Sequence, residues 1–175
     1  MAEDKMKAVG QTTTEKKHPF QDANVINALA SGIKDTLSEM AQIQCQFEKP
    51  FVEKHWDTQG DATGIMELKS DLHSGSLHIH FPKEAIFLIM SKMLGEPPKE
   101  FNDEVLDGVG EITNIVYGTM KAKLNPMGYE FKMATPRADY TKNLSKPEGQ
   151  AKHLLLPFTV ENSKCFIEVV LMSVH

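Results

Sequence analysis

Cysteine is scarce: Cys45 and Cys165 are the only two in 175 residues, and neither sits in a paired motif. That spacing supports no zinc site and no disulfide framework. Two unpaired thiols in a reducing compartment are expected rather than one bridge. Positive charge is short as well. With 19 Lys and Arg against 24 Asp and Glu, the formal net charge is -5, which repels a phosphate backbone and an anionic lipid surface alike. Neither nucleic acid nor membrane is an expected partner. Long apolar runs are missing too: the longest, Ala85 to Met90, is far below the about 20 residues that a bilayer helix needs. No basic-then-apolar leader opens the chain, so no secretory signal is expected and the cytoplasm is the expected compartment. A Ser-His-Asp order, a Gly-rich phosphate loop, a zinc motif, an internal repeat and a low-complexity segment are likewise absent.

What is present reads as an ordinary globular balance, 41% hydrophobic and 25% charged, at a length that suits one domain with a real core. Residues 1–19 are polar and rich in Lys, Glu and Thr, which predicts a mobile tail before a single domain at 20–175. Val25, Leu29, Ile33, Leu37 and Met40 recur every three to four positions and predict a first amphipathic helix. Cys45, Phe47, Phe51 and Val52 flank Pro50, the pattern of an interrupted or edge strand. Gly60 and Gly64 bracket an expected turn before Ile65–Leu68. Ser70-Asp71 and Gly75 mark another, after which Leu77, Ile79 and Phe81 alternate with His78 and His80.

Pro82 opens a second helix, Lys83 to Leu94, that Gly95 closes. A third runs from an Asn102 cap to about Leu124, where Asn125-Pro126 and Gly128 stop it. Asp103 and Glu104 suit its positive end, and Phe101 can staple onto Leu106. Strands are expected over 129–135, 153–160 and 165–174. A polar loop at 141–150 separates the first two, and a turn at Asn162-Ser163 joins the last two. Helix, strands, two helices, strands: that order predicts an α+β fold with helices packed on a mainly antiparallel sheet.

On a wheel of roughly 100° per residue, the third helix turns Val105, Val109, Ile112, Val116 and Met120 to one side. Glu104, Asp107, Glu111, Asn114, Gly118 and Lys121 fall on the other. Glu111 and Asn114, three apart, project as neighbours from the middle of that polar face. A chance Glu-x-x-Asn on a solvated helix is common. The glycines argue for more, because each of Gly108, Gly110 and Gly118 costs about 1 kcal/mol relative to Ala inside a helix. Packing against a neighbouring helix accounts for Gly108 or Gly110. Gly118 lies on the polar face, where core packing is a poor reason for it.

The run from Asp107 to Gly118, DGVGEITNIVYG, resembles the active-site helix of the CheC/CheX/FliY phosphatases. Gly110, Glu111, Asn114 and Gly118 match that family's pattern in place. The likeness covers roughly residues 22–173, through the opening Asn24–Leu29, the Gly75-Ser76-Leu77 strand, the helix end Met93-Leu94-Gly95, and Thr135-Pro136. It implies a CheC/CheX-like fold. The first helix offers Asn24 and Asn27 but no Glu three residues before either, so the resemblance implies one site per chain, as in CheX, and a homodimer in which strands extend the sheet.

It further implies a phosphatase acting on the aspartyl phosphate of a CheY-like receiver domain. That receiver supplies Mg²⁺ and a lysine, and this chain binds no cofactor or metal of its own. Asn114 would orient the attacking water and Glu111 would dock on the receiver lysine, while Gly118, Asp107, Glu104 and Lys121 form the partner-binding face. A CheX-like domain that only binds, as an adaptor or in a motor-switch assembly, is the alternative.

Other residues draw less. His78 and His80 share a strand face and could reach one metal, but no third ligand is evident, and a solvent-facing strand explains them. His55 beside Trp56 reads as a surface or edge feature. Met90 and Met93 read as core filling, and Asp139-Tyr140 as part of a mobile hairpin tip.

Overall fold

In the computed structural model, which describes residues 19–145 and 151–173, helix boundaries follow local chemistry. Helix α1 (Ala23–Ala41) starts where the Asp22 carboxylate accepts the Asn24 N–H, and ends at Gln42, whose φ of 55° is left-handed. Helix α2 (Lys83–Leu94) follows Pro82 and ends at Gly95. Helix α3 (Asp103–Leu124) is capped by Asn102, whose side chain accepts from the N–H groups of Glu104 and Val105. One further 3-10 turn, Asn125–Met127, carries the chain to Gly128. The expected tail falls, apart from Pro19, outside the described residues, as do positions 146–150 of the expected loop. No helix among the described residues is long and apolar enough to cross a membrane.

The strands are β1 (Cys45–Phe47), β2 (Phe51–Glu53), β3 (Ala62–Lys69), β4 (His73–Phe81), β5 (Arg137–Tyr140), β6 (His153–Val160) and β7 (Ser163–Ser173). They form one sheet in the order β1-β6-β7-β4-β3-β5, with β2 also on β6. Every pairing is antiparallel, which is the expected α+β arrangement. Pro50 splits the edge into β1 and β2 as its missing N–H requires. Leu77, Ile79 and Phe81 of β4 point to one face with Ile167 and Val169 of β7. They pack there with Leu29 and Ile33 of α1, Ile86 and Ile89 of α2, and Val109, Ile112 and Val116 of α3.

Several expectations are corrected. Gly64 and Gly75 lie inside strands, not in turns. Each sits where a neighbour comes too close for a side chain. A Cβ on Gly64 would lie 1.8 Å from Thr113 Oγ1, and one on Gly75 would lie 1.8 Å from the Val170 carbonyl oxygen. Residues 129–135 form no strand. Side chains hold that segment instead: Phe131 is buried, and the Tyr117 hydroxyl donates to the Lys132 carbonyl at 2.6 Å. The Tyr129 hydroxyl donates to Asp22. Asp139 and Tyr140 belong to β5, paired with Thr63 and Ala62, rather than to a hairpin tip. His80 is fully buried, so the face of β4 that carries it is not solvated.

Gly64→Ala should cost about 2 kcal/mol of folding stability, because the Thr113 side chain already fills the space a methyl would take. Urea denaturation of the variant checks this; a loss near zero would show that α3 can lift freely from β3.

Candidate functional site

Three contacts fix how α3 is rotated. Thr113 lies against Gly64, with its hydroxyl satisfied by the Val109 carbonyl at 2.8 Å. Tyr117 is fully buried and tied to Lys132. On the α1 side, Gly32 meets the Val116 carbonyl and Met120, and Lys123 pairs with Asp35 at 2.9 Å. With Thr113 and Tyr117 turned inward, Asn114 and Gly118 turn outward, since neighbours in sequence point about 100° apart on a helix.

The six positions expected on the polar face all lie on the side away from the core. Glu104, Asp107, Glu111 and Gly118 are exposed, and Asn114 and Lys121 are partly so. Neither the Glu111 nor the Asn114 side chain makes a hydrogen bond or ion pair with any described residue. An acid and an amide left unmatched on a rigid helix keep their full capacity to accept, and in the amide's case to donate.

The glycines separate cleanly. Gly108 faces α2, where a Cβ would stand 2.9 Å from Met90 Cε, so helix packing accounts for it. Gly110 and Gly118 have open space, with nothing within 4 Å of an added Cβ. They lie one turn before and one turn after Asn114. Bare backbone therefore flanks the amide on both sides, and the packing reason offered above for Gly110 does not apply.

A hollow of about 530 Å³ lies at the α2–α3 connection, lined among others by Met90, Pro97, Pro98, Asn102 and Glu104. It touches neither Glu111 nor Asn114. Glu111 and Asn114 thus stand on an open helix face rather than in a cleft. Neither cysteine supplies a nucleophile: both are free, burial pushes the Cys45 thiol up to about 11, and it pushes buried Cys165 higher still.

Residues 62–159, more than half of the chain, match the family model described as chemotaxis phosphatase CheX. The chain belongs to the CheX family. It is 25% identical over 146 residues, 83% of this chain and 93% of the other, to a CheY-P phosphatase CheX of Thermotoga maritima. A CheC-like superfamily protein from Shewanella sp. PV-4 is 34% identical with a TM-score of 0.78, over 86% of this chain and all but 1% of the other. The same fold, at 20% identity and a TM-score of 0.69 over 84% of this chain and 97% of the other, occurs in a CheX–CheY–BeF3–Mg²⁺ complex from Borrelia burgdorferi. The matched segment contains the whole of α3, so Glu111 and Asn114 belong to its CheX portion.

On the far face of the sheet the structure gathers residues that sequence spacing left apart. His78 Nδ1 lies 3.5 Å and His80 Nε2 2.7 Å from Glu168 Oε2, while His153 Nδ1 lies 2.5 Å from Oε1. Glu168 and His153 were missed as companions of His78 and His80 because they come from strands far along the chain. One signal was available: Glu168 stands alone as a charge among Phe166, Ile167, Val169 and Val170.

Burial alone would raise the Glu168 carboxyl, but hydrogen bonds from His78 and His80, and their charge, pull it well below the usual carboxylate range. Burial also drives His80 below its ordinary value, against the pull of Glu168. The two shifts compete for one proton. His80 has no exposed area and its Nδ1 already faces a hydroxyl, so we take its ring as neutral and Glu168 as the charged member.

Gly110→Ala and Gly118→Ala should each raise the stability of the isolated protein by about 1 kcal/mol, the helix propensity gained where nothing clashes. Thermal or urea melts read this directly. A destabilised variant would reveal a close neighbour on what the structure shows as open helix surface.

Proposed function

We propose that this CheX-family chain hydrolyses the aspartyl phosphate of a CheY-like response regulator brought against the open face of α3. The observation that carries the reading is the unmatched Glu111–Asn114 pair, set between two glycines with free space over them. The CheX family match and the phosphatase named in Thermotoga maritima support the same chemistry.

Hydrolysis of an acyl phosphate needs a water in line with the leaving carboxylate while cationic groups hold the phosphoryl oxygens. The Mg²⁺ and lysine belong to the receiver. The water oxygen attacks phosphorus, the bond from phosphorus to the aspartate oxygen breaks, and the carboxylate leaves. Inorganic phosphate takes up the water's remaining proton.

Asn114 positions that water, its amide oxygen accepting from the water and its NH₂ donating to the water or a phosphoryl oxygen. It is no general base. Glu111 pairs with the receiver lysine and sets the docking register; such a pair, desolvated at an interface, is worth anything from nearly nothing to several kcal/mol. Gly110 and Gly118 let the receiver's backbone come close. Glu104 and Asp107 toward the N-terminal end, and Lys121 toward the C-terminal end, bound the footprint. The homodimer implied by the family is part of the proposal, with sheet edges as the surfaces that would meet.

Asn114→Ala should cut accelerated dephosphorylation by about 10²-fold or more, the scale of positioning effects, with affinity for the phosphorylated receiver nearly unchanged. Loss of radiolabel from a phosphorylated receiver, alongside a binding titration, measures both. Turnover near wild type would end the water-positioning role. Glu111→Ala should weaken binding and rate together, and unchanged affinity would remove its docking role. Tight binding by the wild-type chain with no loss of label would show an adaptor instead of an enzyme.

A further inference from the structure

We propose that His78, His80 and Glu168 form a site for one divalent transition-metal ion of the zinc class, on the sheet face opposite α3. The inference is independent of the phosphatase reading, since none of these residues lies on α3.

The donor set is the first argument. The ligand atoms of His78, His80 and Glu168 all lie within 4.8 Å of one another. His153 stands outside that group, against the other carboxylate oxygen, and holds the carboxylate in place. Imidazole nitrogens with a single carboxylate suit Zn²⁺, Co²⁺ or Ni²⁺, whereas Mg²⁺ and Ca²⁺ demand oxygen. Three protein donors would hold the ion, and a water would complete the four positions that zinc takes.

Orientation is the second. Thr63 Oγ1 lies 2.8 Å from His80 Nδ1 and 2.8 Å from Thr141 Oγ1. With His80 Nε2 only 2.7 Å from Glu168 Oε2, Nε2–H donates to the carboxylate in the metal-free chain, Nδ1 accepts from Thr63, and Thr63 accepts from Thr141. A metal ion would take the place of the Nε2 hydrogen, the ring shifting to the tautomer in which Nδ1–H donates to Thr63 and Thr63 to Thr141. Metal-binding histidines are held in this way by an outer hydrogen bond.

Charge is the third. Glu168 is nearly fully buried, and among the described residues its ion-pair partners are the three imidazoles, with no Lys or Arg. A buried carboxylate with no Lys or Arg beside it is costly, and a divalent ion seated between it and the two imidazoles would remove that cost. The donors also sit on a rigid frame. His78 and Glu168 are cross-strand partners on β4 and β7, and His153, which holds Glu168, comes from the adjoining β6 opposite Val170. Entry is from the His78 side, where 17% of the side chain is exposed against 0% for His80 and 6% for His153.

The test uses the full chain stripped with a chelator and titrated with Co²⁺, then Zn²⁺. One Co²⁺ per chain should bind with the visible absorption of a four-coordinate site, Zn²⁺ should displace it, and the melting temperature should rise with loading. His78→Gln, the most exposed ligand, should weaken binding by more than about tenfold, a loss of the size seen when metal sites are perturbed. His55→Gln, remote in sequence and exposed, should leave it unchanged. Absent stoichiometric binding, or binding indifferent to His78→Gln, overturns the site and leaves a self-contained hydrogen-bond network. Should His78→Gln fail to fold, imidazole ¹⁵N shifts of the unmutated chain on adding Zn²⁺ decide. Movement at His78 and His80 supports the site, and movement confined to other histidines refutes it.

Discussion

The close approach of Thr113 to Gly64 governs what this molecule shows to its surroundings. A helix lying on a sheet can be turned about its own axis by a few tens of degrees without losing apolar contact. What fixes the angle here is a hydroxyl-bearing side chain seated where the strand beneath has none. With the Thr113 hydroxyl satisfied within its own helix, the contact carries no unpaired polar group into the core. Asn114 is the next residue, and its outward direction is the direct geometric result. Tyr117 reaching Lys132 repeats the constraint one turn on.

The helix itself was largely legible in the sequence. The Asn102 cap, the Val105–Met120 stripe and the Asn125-Pro126 stop are local signals, each with a local cause, and they placed α3 with its polar face intact. The alternation of β4 and the positions of β6 and β7 were legible for the same reason. What could not be read was anything decided across strands. Gly64 and Gly75 look like turn formers in sequence, yet they are strand residues because of atoms that arrive from elsewhere. Residues 129–135 have strand-like composition but are held by side-chain anchors, so the pairing falls to Arg137–Tyr140 instead.

The candidate site shows the same division. The Glu111–Asn114 spacing is visible in a single turn of helix, so sequence alone isolates it. The roles of Gly108 and Gly110 were not separable, because the difference is whether Met90 stands nearby. The two histidines on β4 looked like a solvated strand face, since nothing local announces that Glu168 and His153 will cover them. Strand alternation tells which side a residue faces, but not what lies on that side.

The middle of the sheet is a seam between β4 and β7, where His80 meets Glu168 across 88 positions of sequence. The hairpins on either side, β3 with β4 and β6 with β7, are nearly contiguous in the chain and can form early. Joining them means closing a loop that contains two helices, and such long-range closure is slow relative to local pairing. During synthesis on the ribosome, the first hairpin and the helices must therefore wait with one sheet edge and much of their apolar surface unpaired until the final strand emerges. That waiting half presents the unpaired edge of β4, the kind of surface through which incompletely folded chains associate.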